Sequence, residues 1–102
     1  MSKYKIVTTK DFEEELEKIY NYFLYFLKEP KIAKKLYNQI INSVTSLEFF
    51  PKKYYQIQEY SKLKNKDIRK MTIKKYVIIY EVNDTFRSSN YFTYIPPEVK
   101  II

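Results

Sequence analysis

The chain has 102 residues and a formal net charge of +7, with no cysteine, histidine or glycine. This length suits one domain over residues 1–102, and the lack of cysteine excludes disulfides and thiolate zinc sites. The lack of histidine removes the commonest general base and metal ligand. No apolar run approaches the roughly 18 residues that span a bilayer, and the N-terminus has no signal-peptide core. We therefore expect a soluble cytoplasmic protein without cofactor, metal or membrane contact.

Positive charge is concentrated in the second half of the chain. Residues 1–50 contain 8 lysines and 7 acidic residues, whereas residues 51–102 contain 11 basic and 5 acidic residues. This asymmetry indicates either a polyanionic or acidic partner, or a basic face that only keeps a small protein soluble. Alanine and glycine, whose codons are GC-rich, are nearly missing, which is typical of an AT-rich genome. The lysine content alone therefore does not decide between the two interpretations.

The first half predicts a strand and two helices. Residues 3–8 alternate and include β-branched side chains, which favours a short strand. Apolar residues then recur at three- and four-residue steps on both sides of Pro30, which predicts helices at roughly 10–28 and 31–49. The short connection makes them an antiparallel hairpin with a shared apolar face. The stripes consist of Phe12, Leu16, Ile19, Tyr20, Phe23, Phe26 and Leu27, and of Ile32, Leu36, Ile40, Val44 and Leu47.

The second half predicts a sheet. Residues 52–66 are a polar connection without a clear period, whereas 67–73 and 75–82 are typical of strands. After the turn residues 83–85, the aromatic and β-branched segment 86–95 predicts a last strand. The order β-α-α-β-β-β defines an α+β fold: a helix hairpin packed on a mostly antiparallel sheet, with the N-terminal strand as an added member.

Three segments, taken in this order, resemble the RelE/ParE superfamily of bacterial toxins. YKIVTTKDFEEELEKIYNYF is similar to the opening strand and helix of that family, EPKIAKKLYNQIINSVTSLEFFP to its hairpin turn, and DIRKMTIKKYVIIYEV to its paired strands. The matching positions are Leu16, Ile19, Tyr22, Pro30, Ala33, Leu36, Ile40, Val44, Leu47, Pro51, Arg69, Tyr76, Tyr80 and Val82. The resemblance covers about residues 3–85, and the long hairpin turning at Pro30 is most similar to the ParE-like branch.

This resemblance implies a toxin of a type II toxin–antitoxin (plasmid stabilisation) system. Its implied partner is a cognate antitoxin, which wraps such toxins with an extended, partly helical segment. ParE-like members are known for poisoning DNA gyrase, whereas RelE-like members cleave mRNA in the ribosomal A site. DNA gyrase is therefore the implied target. One alternative is a ribosome-dependent, metal-independent mRNA endoribonuclease, and another is an inactive toxin-fold remnant.

The candidate site residues lie on the two predicted strands 67–73 and 75–82. Lysine and arginine can stabilise the developing charge on a phosphate without histidine, and tyrosine offers a stacking face for a base. Alternatively, Tyr76 and Tyr80 belong to the core, and Lys74 and Lys75 are a solvated hairpin turn. The catalytic candidates are Arg69, Lys74, Lys75 and Tyr80, and the candidates for binding a target or polyanion are Arg69, Lys70, Lys74, Lys75 and Tyr76.

A second basic and aromatic cluster lies in the predicted connection. It consists of Lys52, Lys53, Tyr54, Tyr55 and Tyr60. Such a cluster suits a polyanion-binding loop, because tyrosine stacks on bases and lysine pairs with phosphates. It also suits a loop that packs over the helices, and this second interpretation is the one we favour.

The C-terminus departs from the family pattern. The last strand of the family normally ends in an apolar run, then His or Arg, then a basic cluster, whereas this chain ends in FRSSNYFTYIPPEVKII. We wrote residues 89–98 as codons that end in A or T and translated them one base later. The result is VIILHIFHQ followed by Lys or Arg, which resembles the last strand of the family. We therefore predict a one-base deletion near residues 84–87, with a divergent tail as the alternative.

This interpretation predicts a weakened toxin. Pro96 and Pro97 donate no backbone hydrogen bond and are expected to end the last strand. Glu98 adds negative charge where an acidic or phosphate-bearing target is expected to approach. We therefore expect the chain to slow bacterial growth little or not at all.

Overall fold

A computed structural model of the chain describes residues 3–84, 86–87, 94–95 and 97–102. Its elements, in chain order, are β1 (Lys5–Thr8), α1 (Lys10–Asn21) with a π-helical turn (Tyr22–Phe26), α2 (Pro30–Ser46), α3 (Gln58–Lys64), β2 (Asp67–Ile73), β3 (Tyr76–Asn83), β4 (Phe86–Arg87), β5 (Tyr94–Ile95) and β6 (Glu98–Ile101). The predicted α+β class is confirmed. No helix within the described ranges is long and apolar enough to cross a membrane.

The helix hairpin forms as its sequence predicts. Thr9 caps α1, because its hydroxyl accepts a hydrogen bond of 3.2 Å from the backbone N–H of Phe12. Pro30 opens α2, where its missing N–H leaves no helical hydrogen bond unmade. Between the two helices, the chain turns through Lys28 in a left-handed conformation, with φ of 54°.

The apolar face of the hairpin packs on one face of a four-stranded sheet. The strand order is β1-β6-β3-β2, with β1 and β6 parallel and the other neighbours antiparallel. β1 is therefore an added member at one edge, as predicted. The buried core consists of Leu16, Leu36, Ile40, Val44, Leu47, Met71, Ile78, Tyr80, Val82, Val99 and Ile101.

The last strand of this sheet is not the predicted segment. Residues 86–87 and 94–95 pair with each other in a separate two-stranded sheet, and 88–93 lie outside the described residues. The inner position between β1 and β3 is instead taken by β6, with Val99 and Ile101 fully buried. The strand at Tyr94–Ile95 does end before the proline pair, as expected, but the chain forms a further strand, β6, directly after it. Pro97 precedes β6, where it needs no N–H, and its carbonyl accepts a 3.0 Å bond from the N–H of Lys5.

The connection before β2 also contains structure that its sequence did not predict. α3 packs against the start of β2. The hydroxyl of Ser61 accepts a bond of 2.9 Å from the N–H of Ile68 and donates one of 3.0 Å to its carbonyl. The N–H of Ile57 also donates to the carbonyl of Ile68, at 2.8 Å. α3 thus satisfies backbone groups at an edge strand that water would otherwise contact.

Candidate functional site

An apolar cavity of about 230 Å³ lies between α1 and β3. Its walls come from the α1 stripe, from Ile40 of α2 and from the sheet. Half-buried Phe12, Ile19 and Tyr76 keep some apolar surface open to solvent there. Val77 is 54% exposed, but its side chain alternates with those of Tyr76 and Ile78 and belongs to the other face of the sheet. The lining residues are Asp11, Phe12, Glu15, Leu16, Ile19, Ile40, Tyr76, Val77, Ile78 and Ile102.

A second cavity of about 450 Å³ adjoins the first and shares Tyr76 with it. It lies between the tip of the helix hairpin and the turn that joins β2 to β3. Ile32 is 48% exposed there, although it belongs to the apolar stripe of α2. We call the two cavities together the hairpin groove. The residues of the second cavity are Phe23, Ile32, Lys35, Leu36, Gln39, Lys74, Lys75 and Tyr76.

Three of the predicted site residues meet in the hairpin groove. Lys74 and Lys75 form the exposed β2–β3 turn, and half-buried Tyr76 opens β3. The ammonium of Lys75 lies 5.8 Å from the centre of the Tyr76 ring, which is within cation–π range. Lys70 is exposed but belongs to the other face of the sheet, because its side chain alternates with that of buried Met71. The structure therefore does not bring Lys70 to the groove.

The guanidinium of Arg69 is engaged within the chain. Its Nε and one terminal nitrogen donate to the two carboxylate oxygens of Asp67, at 3.0 and 3.3 Å. Its other terminal nitrogen donates to the carbonyls of Lys52 and Tyr54, at 3.2 and 2.8 Å. Arg69 thus fastens the loop that follows α2 to the edge of β2. The role of Arg69 in target binding or catalysis stays a prediction.

Tyr80 is fully buried in the core. Its hydroxyl donates a 2.7 Å bond to the carbonyl of Pro51, and Lys52 follows Pro51 in the loop that Arg69 fastens. Burial raises the pKa of Tyr80 to about 12, and the charge of nearby Arg69 opposes that shift. In this conformation the ring has no solvent-facing surface on which a base could stack, so its predicted catalytic role stays a prediction.

A polar cluster at the end of β3 has no counterpart in the sequence-based predictions. The hydroxyl of Tyr4 donates a 2.6 Å bond to Asp84, and the ammonium of Lys52 lies 3.1 Å from the same carboxylate. The bonds from Tyr4 and from Lys52 lower the pKa of Asp84, and the bond to Asp84 raises that of Tyr4. Tyr4 and Asp84 are 80 positions apart, so no local pattern connects them.

The second basic and aromatic cluster is divided in the structure. Tyr54 packs against the core, as the packing interpretation predicts, and the ammonium of Lys53 lies 5.6 Å from its ring centre. Tyr55 is 86% exposed and Tyr60 46% exposed, so neither is covered. The cluster forms no single aromatic surface, because Tyr54 faces the core while Tyr60 belongs to α3.

The fold and the groove together define a small α+β domain with an open apolar groove, a kind of surface that takes a partner segment. The family model described as the ParE toxin of the type II toxin–antitoxin system, parDE, matches residues 6–87. The chain belongs to this toxin family, and the predicted RelE/ParE membership is confirmed. Neither the comparison with curated proteins nor that with solved structures gave a match. Residues 88–102, which include β6, lie beyond the matched range.

Proposed function

We propose that this toxin-family chain binds its cognate antitoxin through the hairpin groove. The observation that carries the proposal is the exposed apolar surface of the groove, where Ile32 is 48% exposed and Phe23 and Tyr76 are half-buried. Contiguous apolar surface of this kind costs solubility in an isolated chain and commonly marks a binding site. An antitoxin segment laid along the groove removes that surface from water.

We further propose that the cellular target is a protein, DNA gyrase, rather than RNA. Cleavage of RNA without metal or histidine needs cationic groups free to meet a phosphate and a group that moves a proton. Arg69 already bonds Asp67 and two carbonyls, and Tyr80 is buried. The mRNA endoribonuclease remains the alternative function, because two cationic side chains and one aromatic ring lie together at the groove, those of Lys74, Lys75 and Tyr76.

The toxin fold and toxic activity are proposed to be uncoupled in this chain. β6 supplies two fully buried side chains, Val99 and Ile101, so the tail contributes to the core. The same tail carries Glu98 and no histidine, where the family pattern has histidine or arginine and a basic cluster. Antitoxin binding is therefore retained in this proposal, while growth inhibition is weak.

The antitoxin proposal is tested by co-expressing the tagged chain with the protein encoded in the adjacent reading frame. We expect a stable complex that survives size-exclusion chromatography. Ile32→Glu places a charge on the exposed apolar surface of the groove and is expected to abolish the complex, whereas Tyr55→Glu changes a residue that is 86% exposed outside the groove and is expected to leave it intact. Failure of the unmodified chain to bind its neighbour would overturn the proposal.

The target proposal is tested with purified DNA gyrase and a supercoiling assay. We expect weak inhibition by the chain as it stands, and stronger inhibition by a version whose other frame is restored from about residue 86. Antitoxin is expected to relieve that inhibition. Cleavage of ribosome-bound mRNA by the restored chain, without any effect on supercoiling, would favour the endoribonuclease instead.

A further inference from the structure

The two ends of the hairpin groove carry opposite charges. The cavity beside α1 is lined by the carboxylates of Asp11 and Glu15, and no lysine or arginine of the described ranges lines it. The cavity at the β2–β3 turn is lined by Lys35, Lys74 and Lys75, and among described residues no carboxylate lines it. The apolar floor between them includes Tyr76, which belongs to both cavities.

These charges are available to a partner. Asp11, Lys35, Lys74 and Lys75 are all exposed. Glu15 pairs with Lys18 at 3.3 Å, but both side chains are more than 60% exposed. An exposed pair of this type contributes little to stability, so a partner can replace it at small cost.

The spacing of the two ends limits the length of the occupant. Asp11 lies in the first turn of α1 and Phe23 in the π-helical turn that continues it. Twelve helical residues cover about 18 Å at 1.5 Å per residue. A helical occupant therefore needs about 12 residues to follow the groove, and an extended one about 5 or 6. One short segment is enough.

We propose that the groove takes an antitoxin segment with basic residues at one end, acidic residues at the other and apolar residues between them. The basic end lies over Asp11 and Glu15, and the acidic end over Lys35, Lys74 and Lys75. This inference rests on the proposed function and adds the direction in which the segment lies. A second copy placed symmetrically, groove against groove, fits poorly, because two concave surfaces leave a void between them.

The experiment measures the dissociation constant of the purified chain and the full-length antitoxin from the adjacent frame. The double variants Lys74→Glu/Lys75→Glu and Asp11→Lys/Glu15→Lys are each expected to weaken binding on the order of tenfold at low salt, and less at high salt. The control is Lys62→Glu/Lys64→Glu on α3, which makes the same charge change away from the groove and is expected to have no effect. Circular dichroism verifies that each variant is folded.

Charge exchange then tests the direction of the segment. Lysine in place of the acidic residues of the antitoxin segment should restore binding to Lys74→Glu/Lys75→Glu and should weaken binding further to Asp11→Lys/Glu15→Lys. The proposed direction is wrong if the unmodified proteins bind but neither double variant changes the affinity. It is also wrong if one charge-exchanged antitoxin restores binding to both double variants. In either case the proposed function stands. Absence of any complex overturns both. A dimer of the free chain that either double variant dissociates would make a second copy the occupant.

Discussion

α2 and β6 both bury apolar side chains completely, but different causes place them. α2 has 17 residues, opens with a proline and repeats buried residues at helical spacing, so its own sequence determines its structure. β6 has four residues after a proline pair and is too short to fold alone. It becomes a strand because β1 and β3 leave an inner position whose backbone groups need partners. Local pattern determines the helix, and neighbouring strands determine β6.

This difference explains how a toxin fold tolerates an unusual tail. The inner position requires an alternating segment with two apolar side chains on the core face, and Val99-Lys100-Ile101 satisfies it. Many sequences meet that requirement, including one produced by a shifted frame. A specific set of histidine and basic residues is a far stricter requirement. A changed tail can therefore preserve the core while it loses the residues that contact a target.

The largest expected effect is at β6. Ile101→Ala should lower the free energy of unfolding by about 2–5 kcal/mol, because Ile101 is fully buried between β1 and β3. Leu36→Ala in α2 should cost a similar amount, whereas exposed Lys100→Ala should stay within about 0.5 kcal/mol. Urea denaturation followed by circular dichroism measures all three. A cost below about 1 kcal/mol for Ile101→Ala alone would show that β6 is not part of the core in solution.

The same distinction separates what the sequence predicted from what it missed. The helix hairpin, β2 and β3 follow from apolar spacing and are confirmed. β6 and α3 were missed, because the proline pair and the absence of a period argued against regular structure there. At the site, the structure brings together Lys74, Lys75 and Tyr76, which are neighbours in sequence, and their role in binding or catalysis stays a prediction. The partners of Arg69 in the loop lie 15 and 17 positions away, so their hydrogen bonds depend on the folded chain.

Arg69 provides the next test, because its contacts with the loop are non-local. Arg69→Ala should lower the free energy of unfolding by about 1–3 kcal/mol, since it leaves two carbonyls without their donor and the Asp67 carboxylate with only the bond from the Gln56 amide. Arg69→Lys should recover only part of this loss, because an ammonium cannot form the planar fork. Lys70→Ala, an exposed neighbour, is the control. Unchanged stability together with lost gyrase inhibition in the frame-restored chain would instead support the predicted target contact.

Tyr80 also fastens the loop that follows α2 to the sheet, through the single hydrogen bond of its hydroxyl. Tyr80→Phe removes its bond to the carbonyl of Pro51 and should cost about 1–2 kcal/mol near pH 7. The unfolded tyrosine loses its proton near its ordinary pKa of 10, whereas the folded one keeps it to about 12. The contribution of this raised pKa to the free energy of unfolding is thus complete below pH 10. It falls by about 1.4 kcal/mol per pH unit as the pH rises from 10 to about 12. Urea denaturation at several pH values should give a steeper loss for the unmodified chain than for Tyr80→Phe, and equal slopes would contradict the raised pKa.

The smallest effect is a purely local one, at Lys74. Its φ of 57° lies in the left-handed region, which glycine occupies without the steric cost that a Cβ imposes. Lys74→Gly should therefore raise the free energy of unfolding by about 0.5–1 kcal/mol. Lys75→Gly removes the same charge from the neighbouring residue, whose φ is not positive, and should give a small loss instead. Both variants should weaken antitoxin binding similarly, since each removes one lysine from the basic end of the groove. Opposite changes in stability together with equal changes in affinity would separate the backbone role of this turn from the role of its charge. Destabilisation by Lys74→Gly would instead show that Lys74 does not adopt the left-handed conformation in solution.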